Sequence, residues 1–283
     1  MLRVIKNLFI GWKGLPLAPA VGIVAVFAVV LLAISAPLLA PFDPHANLLE
    51  IGYKPPSRDH WLGTDQLGRD MLTLLIWGAR TSLRVAFIGV SISMIIGIML
   101  GVTSGYGSHV LDNLIMRFAD IVLTFPTFFL LIVATSVLTI RDLTAIALII
   151  GVIDWPQVGR IVRAEFLSIR EQAYVDAAKA LGASSLRIIL RHILPNSLSP
   201  LFVAATLSLS RYILYEAAIS FLGLGDPTAI SWGTMIAKGQ GAIRTAWWIS
   251  TFPGCMIFIT VLSLNLIGDT LRDRLDPRLS VGV

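Results

Sequence analysis

Residues whose types and spacing could do chemistry are few in this chain. His60, Asp65 and Asp70 lie together in "HWLGTDQLGRD", an imidazole and two carboxylates of the kind that bind metals. Without a metal, the same stretch reads as Thr64 or Asp65 capping a short helix, Gly63 making its turn and Arg69 pairing with a nearby acid. That simpler reading is taken, and no metal site is assigned. Arg211 and Glu216 interrupt a long apolar run. Charges placed at membrane depth usually face a bundle interior or a water-filled path. Five positions is not a same-face helical spacing, so their partners are expected on other helices. Two roles stay open for the pair, the lining of a path through the bundle or a lock between helices or subunits. His45, His60, His109 and His192 all lie outside the apolar runs, and no H-E-x-x-H occurs. Cys255 stands alone in an apolar run, which excludes a disulfide framework within the chain. No G-x-x-x-x-G-K-[ST] loop is present to cradle ATP phosphates. The chain is expected not to be an enzyme, with no catalytic residue, cofactor or metal of its own.

The elements that must position these residues follow from composition. Apolar residues make up 56% of the 283-residue chain and charged ones 14%, against roughly 25% charged in soluble domains. With a mean hydropathy of +0.82, this is an integral membrane protein. A bilayer-crossing helix needs about 20 mainly apolar residues. Runs at 18–40, 83–104, 115–140, 198–223 and 249–268 qualify, and 142–158 is a weaker sixth. Arg3, Lys6 and Lys13 precede the first run, which is too long for a signal-peptide core and is expected to be retained.

Charge sets the orientation. With six spans and both termini in the cytoplasm, thirteen Lys/Arg lie inside and eight outside, with Arg211 within a span. Dropping the weak span would move the basic 160–191 segment outside, against the positive-inside tendency. Arg80 and Arg84 are then loop or interfacial residues, and Asp120 is a polar residue near the cytoplasmic end of the third span. The expected organisation is all-α: a cytoplasmic tail (1–17), a first transmembrane helix (18–40), an external loop (41–82), a five-helix core (83–268) and a cytoplasmic tail (269–283). The core contains a cytoplasmic segment at 159–197 and a second outer loop at about 224–248. Pro126 and Pro253 interrupt spans, but no matched halves of the kind found in secondary carriers are visible.

The segment "YVDAAKALGASSLRIILRHILP" is the most polar long stretch in the chain. Tyr174, Ala177, Ala178 and Leu181 fall on one side of a helix. Gly182 is placed to end it in a left-handed conformation, and Ser184 or Ser185 to cap a second helix. Leu186, Ile189, Leu190, Ile193 and Leu194 stripe that second helix, which Pro195 closes unless it starts the next span. Pattern alone leaves two readings, a helix resting on anionic lipid or a thin helix lying in a groove on another protein.

The same residues resemble the EAA loop of ABC-importer permeases. Asp176, Ala177, Ala178 and Gly182 keep its spacing, and "HILP" follows nine residues later. Asp176 stands where the pattern has Glu, and His192 where it has Ile. "HWLGTDQLGRD", "GARTSL", "EAAISFLGLG" and "LNLIGDTLRDRLDPR" resemble the dipeptide/oligopeptide/nickel branch, so the likeness runs from about residue 16 to 278.

The resemblance implies a six-span permease subunit of a binding-protein-dependent importer in the cytoplasmic membrane, carrying di- or oligopeptides. Oligosaccharide, glutathione or nickel are the alternatives within the family, and a stand-alone carrier or channel is the alternative outside it. Implied partners are a second homologous permease, two ATPase subunits that hold ATP and Mg2+, an extracytoplasmic solute-binding protein and membrane lipid; no nucleic acid is implied. Tyr174, Asp176, Ala177, Ala178, Lys179, Leu181, Gly182 and Pro195 would form the loop that couples to the ATPase.

Overall fold

The structure, a computed structural model, describes residues 17–44, 52–139 and 141–275. Arg3, Lys6, Lys13 and His45 lie outside the described residues, as does the tail from 276 with Arg278. Among those described, regular structure is helical, apart from one isolated bridge between Thr64 and Asp70. Five helices are long and apolar enough to cross a membrane, and six if one bent pair is a single span.

Helix α1 (Leu17–Ile34) lies on the periphery. It exposes Val21, Val24, Phe27 and Leu31 and turns Gly22 toward the Ser263 carbonyl. A one-turn α2 (Ala36–Leu39) follows, with Pro37 in its first turn, where a missing N–H costs nothing.

Helix α3 (Met71–Tyr106) is longer than expected. It starts where Asp70 accepts the Thr73 N–H at 2.8 Å, so Asp70, rather than Thr64 or Asp65, is the cap. Residues 71–82, read as loop, and Arg80 and Arg84 are therefore helical. The hydropathy window registers only lipid-facing length, whereas this outer part of α3 is helical because neighbouring helices bury Met71, Leu74, Ala79 and Ser82.

Helices α4 (His109–Thr124) and α5 (Thr127–Val137) replace the expected continuous span at 115–140. They meet at an 84° bend. Pro126 lacks an N–H and pushes Phe125 out of the helical region, to φ −94° and ψ 139°.

Helix α6 (Leu143–Arg170), capped by Asp142, extends the weak sixth run well past residue 158. It packs directly on α3. Gly89, Ser93, Gly97, Gly101 and Gly105 recur every fourth residue along α3. A Cβ added at Gly97 or Gly101 would sit 2.6 Å from the Cβ of Val158 or Val162. Lipid supplies no hydrophobic drive between helices, so close backbone approach through small residues is what binds this pair.

After α6 come the short α7 (Ala173–Ala180) and α8 (Ser185–Ile188). A π-helical turn (Ile189–Ile193) then runs without a break into α9 (Leu194–Phe221). Pro195 occupies the first turn of α9, so it opens the long helix and does not close the amphipathic one. The Leu194 N–H reaches back five residues to the Ile189 carbonyl, the register of a π turn. The loop after α9 contains α10 (Trp232–Gly239), which continues into a 3-10 turn at Gln240–Ala242. The final α11 (Trp248–Leu275) keeps its helix through Pro253 and ends seven residues beyond the apolar run, with Arg272 and Arg274 in its last turn.

Two apolar clusters result. The larger joins α3, α6, α9, α10 and α11 around Met71, Ile146, Tyr212 and Trp232. The smaller gathers Val158, Val162, Phe166, Val175, Ile188 and Ile193 under α7.

Candidate coupling helix and intramembrane polar sites

Helix α7 is eight residues long and touches its own chain along one edge. Val175 is buried in the smaller cluster, with Ala178 packed beside it. The rest of the surface points away. Tyr174, Asp176, Ala177 and Lys179 are exposed, and Leu181 is 88% exposed. The expected stripe of Tyr174, Ala177 and Leu181 thus faces outward, with only Ala178 turned partly in.

Gly182 adopts φ +79°. The Gly182 N–H donates to the Lys179 carbonyl at 2.9 Å and the Ala183 N–H to Ala178 at 3.0 Å. This pair of bonds is the Schellman ending, which requires a left-handed residue and so favours glycine. Ser184 caps the next helix through the Arg187 N–H. Lys179 Nζ donates to Asp176 at 2.8 Å. Tyr174 leans on the π turn, its ring 6.4 Å from that of His192. Its hydroxyl accepts from Asn196 at 3.4 Å. Seven of the eight expected coupling residues therefore share one short surface element. Pro195 stands apart, half-buried in α9.

Arg211 and Glu216 do not meet each other. Glu216 is 0% exposed. It accepts from Ser231 at 2.7 Å, Ser220 at 2.9 Å and Ser82 at 3.2 Å. Ser82 in turn accepts the Trp232 N–H, and Ser231 caps α10 in a reciprocal bond with Thr234. One carboxylate thereby ties α3, α9 and α10 together.

The Arg211 guanidinium donates to Gln157, to Ser208 at 2.8 Å and to Asp154 at 3.3 Å. Asp154 also accepts from Tyr212 at 2.7 Å and Gln157 at 2.9 Å. Asp154, Gln157 and Tyr212 escaped the sequence reading. A charged residue within one apolar run, matched to an unpaired Arg in another, was the available signal.

Outside the spans, Asp65 is bonded to Arg69 through Nε at 2.8 Å and to the Leu67 and Arg69 N–H groups at 2.9 Å. The expected Arg69–acid pair forms, in a turn and not in a helix. His60 Nδ1 lies 3.1 Å from Asp70, and no cluster of three metal-ligating side chains occurs among the described residues. In the second outer loop, the Thr228 hydroxyl beside Asp226 holds its carboxyl below the usual carboxylate range. Burial pushes the Lys238 ammonium down. Toward the other end, Asp112 binds Arg163 and Asp120 binds Arg160, both linking α4 to α6.

Residues 93–281 match the sequence model of the family described as "Binding-protein-dependent transport system inner membrane component". The chain belongs to that family. Among relatives of this permease, the dipeptide transport system permease protein DppC of Alkalihalophilus pseudofirmus is 41% identical over 92% of the chain and 85% of its own length. The di/tripeptide transport system permease protein DppC of Pseudomonas aeruginosa is 40% identical over 91% and 87%. The oligopeptide transport system permease protein OppC of Bacillus subtilis is 37% identical over 92% and 85%. The permease fold also matches a chain of the inward-facing MetNI methionine ABC transporter, with a TM-score of 0.59 and 24% identity over 72% of this chain and 97% of that one. At that identity the likeness speaks for the fold alone. The membrane-embedded all-α permease expected from the sequence is thus borne out.

Proposed function

We propose that this permease forms half of a peptide path across the cytoplasmic membrane and that α7 is where force enters it. Di- or oligopeptides are the favoured cargo, because the relatives above are named for them. The proposed assembly adds a second permease, two ATPase subunits that bind ATP and Mg2+, and an external solute-binding protein. Both termini and α7 would face the cytoplasm.

The observation that carries the reading is the outward stripe on α7. A leucine left 88% exposed beside Tyr174 and Ala177 has no purpose in water, and an apolar, small-residue helix face suits a groove on another protein. Two stiff arms flank it: α6 on one side, and the uninterrupted helix from Ser185 to Phe221 on the other. An ATPase that shifts α7 on closing would swing both arms, and the Gly182 turn keeps α7 attached at a fixed angle. Within the bundle, Glu216 would act as an inter-helix lock.

Deleting residues 173–181 and co-purifying with tagged ATPase tests this. Loss of the ATPase from a permease that still inserts is the expected result. Retention of the ATPase with undiminished ATP-driven uptake overturns the docking role. Uptake by the reconstituted permease alone, indifferent to ATP, would make it a stand-alone carrier.

A further inference from the structure

The two charged residues of α9 are treated differently by the fold. Glu216 is saturated and sealed. Arg211 is held by three acceptors, yet 36% of its side chain stays accessible in the single chain. Its Nε is buried and has no acceptor among the described residues, so any donor left for a ligand is on the Nη groups. A guanidinium carries five donors; with both Nη2 hydrogens given to Asp154 and Ser208, one Nη1 hydrogen to Gln157 and Nε sealed, one Nη1–H remains.

Depth makes this significant. Arg211 lies ten residues before the outer end of α9 and Asp154 eleven residues after the outer start of α6. At about 1.5 Å per residue both sit roughly 15 Å in, the middle of a hydrocarbon core about 30 Å thick. A half-exposed cation facing lipid at that depth is costly, and such groups usually face a water-filled path or a protein partner. Asp154 is 0% exposed at the side chain. It stands behind Arg211 and, with Gln157 and Ser208, fixes the guanidinium while part of the Arg211 side chain stays accessible. A fixed guanidinium with one free N–H can take a carboxylate oxygen through a charge-assisted N–H···O bond.

We propose that Arg211 is a cargo-contacting residue of the transport path, taking the carboxylate of a peptide at mid-membrane, with Asp154, Gln157 and Ser208 as positioning residues. The cargo's carboxylate passes through a site whose own counter-charge, Asp154, prevents the cation from holding it too tightly. The proposal rests on the peptide-import reading above.

The test uses proteoliposomes containing the whole transporter, with labelled dialanine and dialanine amide as probes and ATP hydrolysis measured alongside. For Arg211→Gln we expect dialanine uptake per ATP hydrolysed to fall about tenfold, amide uptake per ATP to change less than twofold wherever the amide is carried, and Arg211→Lys to recover part of the loss. Asp154→Asn should lower dialanine uptake per ATP by a smaller factor. Undiminished uptake per ATP in Arg211→Gln overturns the proposal. Equal loss for acid and amide, or loss of the second permease on purification, also overturns it and makes Arg211 a lock between subunits. If the wild-type transporter carries neither probe under ATP, the peptide reading itself fails, a result separate from failure of the Arg211 variants.

Discussion

The end of the bundle proposed to face outward, here called the outer end, and the hairpin around α7 are held by opposite means. At the outer end, Glu216 collects three hydroxyls, the Trp232 indole donates to Leu75 at 3.1 Å and the Trp248 indole to Thr64 at 3.1 Å. Loops and helices there are joined by buried, directional bonds. The hairpin is attached mainly by the small apolar cluster around Val175, Ile188 and Ile193. Its exposed face is bound by little within the chain beyond the Asp176–Lys179 pair and the bracing of Tyr174. The first region uses its polar groups to close on itself. The second leaves surface for another chain. A permease driven, as proposed, by separate ATPases would need both, since force applied to a loose element is lost unless the far end resists it.

The contrast predicts that damage at the outer end reads out as stability and damage at the hairpin as coupling. The largest effect is expected from Glu216→Ala. It strips the acceptor from Ser82, Ser220 and Ser231, at about 1–3 kcal/mol for each hydroxyl left buried and unsatisfied. The detergent-solubilised protein should lose several degrees or more of thermal midpoint, while Glu216→Gln, which keeps an acceptor oxygen, should lose less. An unshifted melt for Glu216→Ala would show that the outer end is not closed by this carboxylate.

Next comes Gly182→Val. No atom lies within 4 Å of a Cβ added there, so the penalty is the left-handed backbone alone, about 1–3 kcal/mol confined to the hairpin. ATP-driven uptake should drop several-fold with membrane insertion unchanged. Wild-type uptake would mean that the angle of α7 does not matter.

Leu181→Asp should be smaller still in stability, within about 0.5 kcal/mol for an exposed site, yet should reduce ATPase co-purification. If the melt falls and the ATPase stays bound, the two regions have been assigned the wrong way round.

The smallest effect concerns pH. Asp226 has its folded pKa lowered, chiefly by the Thr228 hydroxyl. Its contribution is therefore complete above the unfolded value of about 3.9 and is lost as pH falls from there through the lowered folded pKa. Asp226→Asn should flatten the acid limb of a thermal-melt profile by a small margin and leave the neutral region shifted by a constant. An unchanged acid limb would remove Asp226 from the outer-end bonding.

Legibility differed from residue to residue. Gly182 was readable because one residue type suits its backbone, and Asp176 to Gly182 because their spacing carries a family pattern. The pairing of Arg69 with an acid was readable from proximity. The cap at Asp70 was not, since Thr64, Asp65 and Asp70 all compete for that role and only the helix start decides among them. The bend at Pro126 was noted as an interruption without its angle, which depends on what α4 and α5 pack against. Asp154 and Tyr212 were missed because their meaning lies in residues more than fifty positions away.

Composition, taken alone, determined that this chain lives in a bilayer, because transfer free energy is a property of residues one by one. Short-range spacing determined the hairpin, because turns and caps are local. Tertiary structure alone decided that Glu216 is sealed while Arg211, five residues earlier, stays partly accessible, and that the glycines of α3 meet Val158 and Val162. Those outcomes depend on which helix lies against which, and no single helix carries that information.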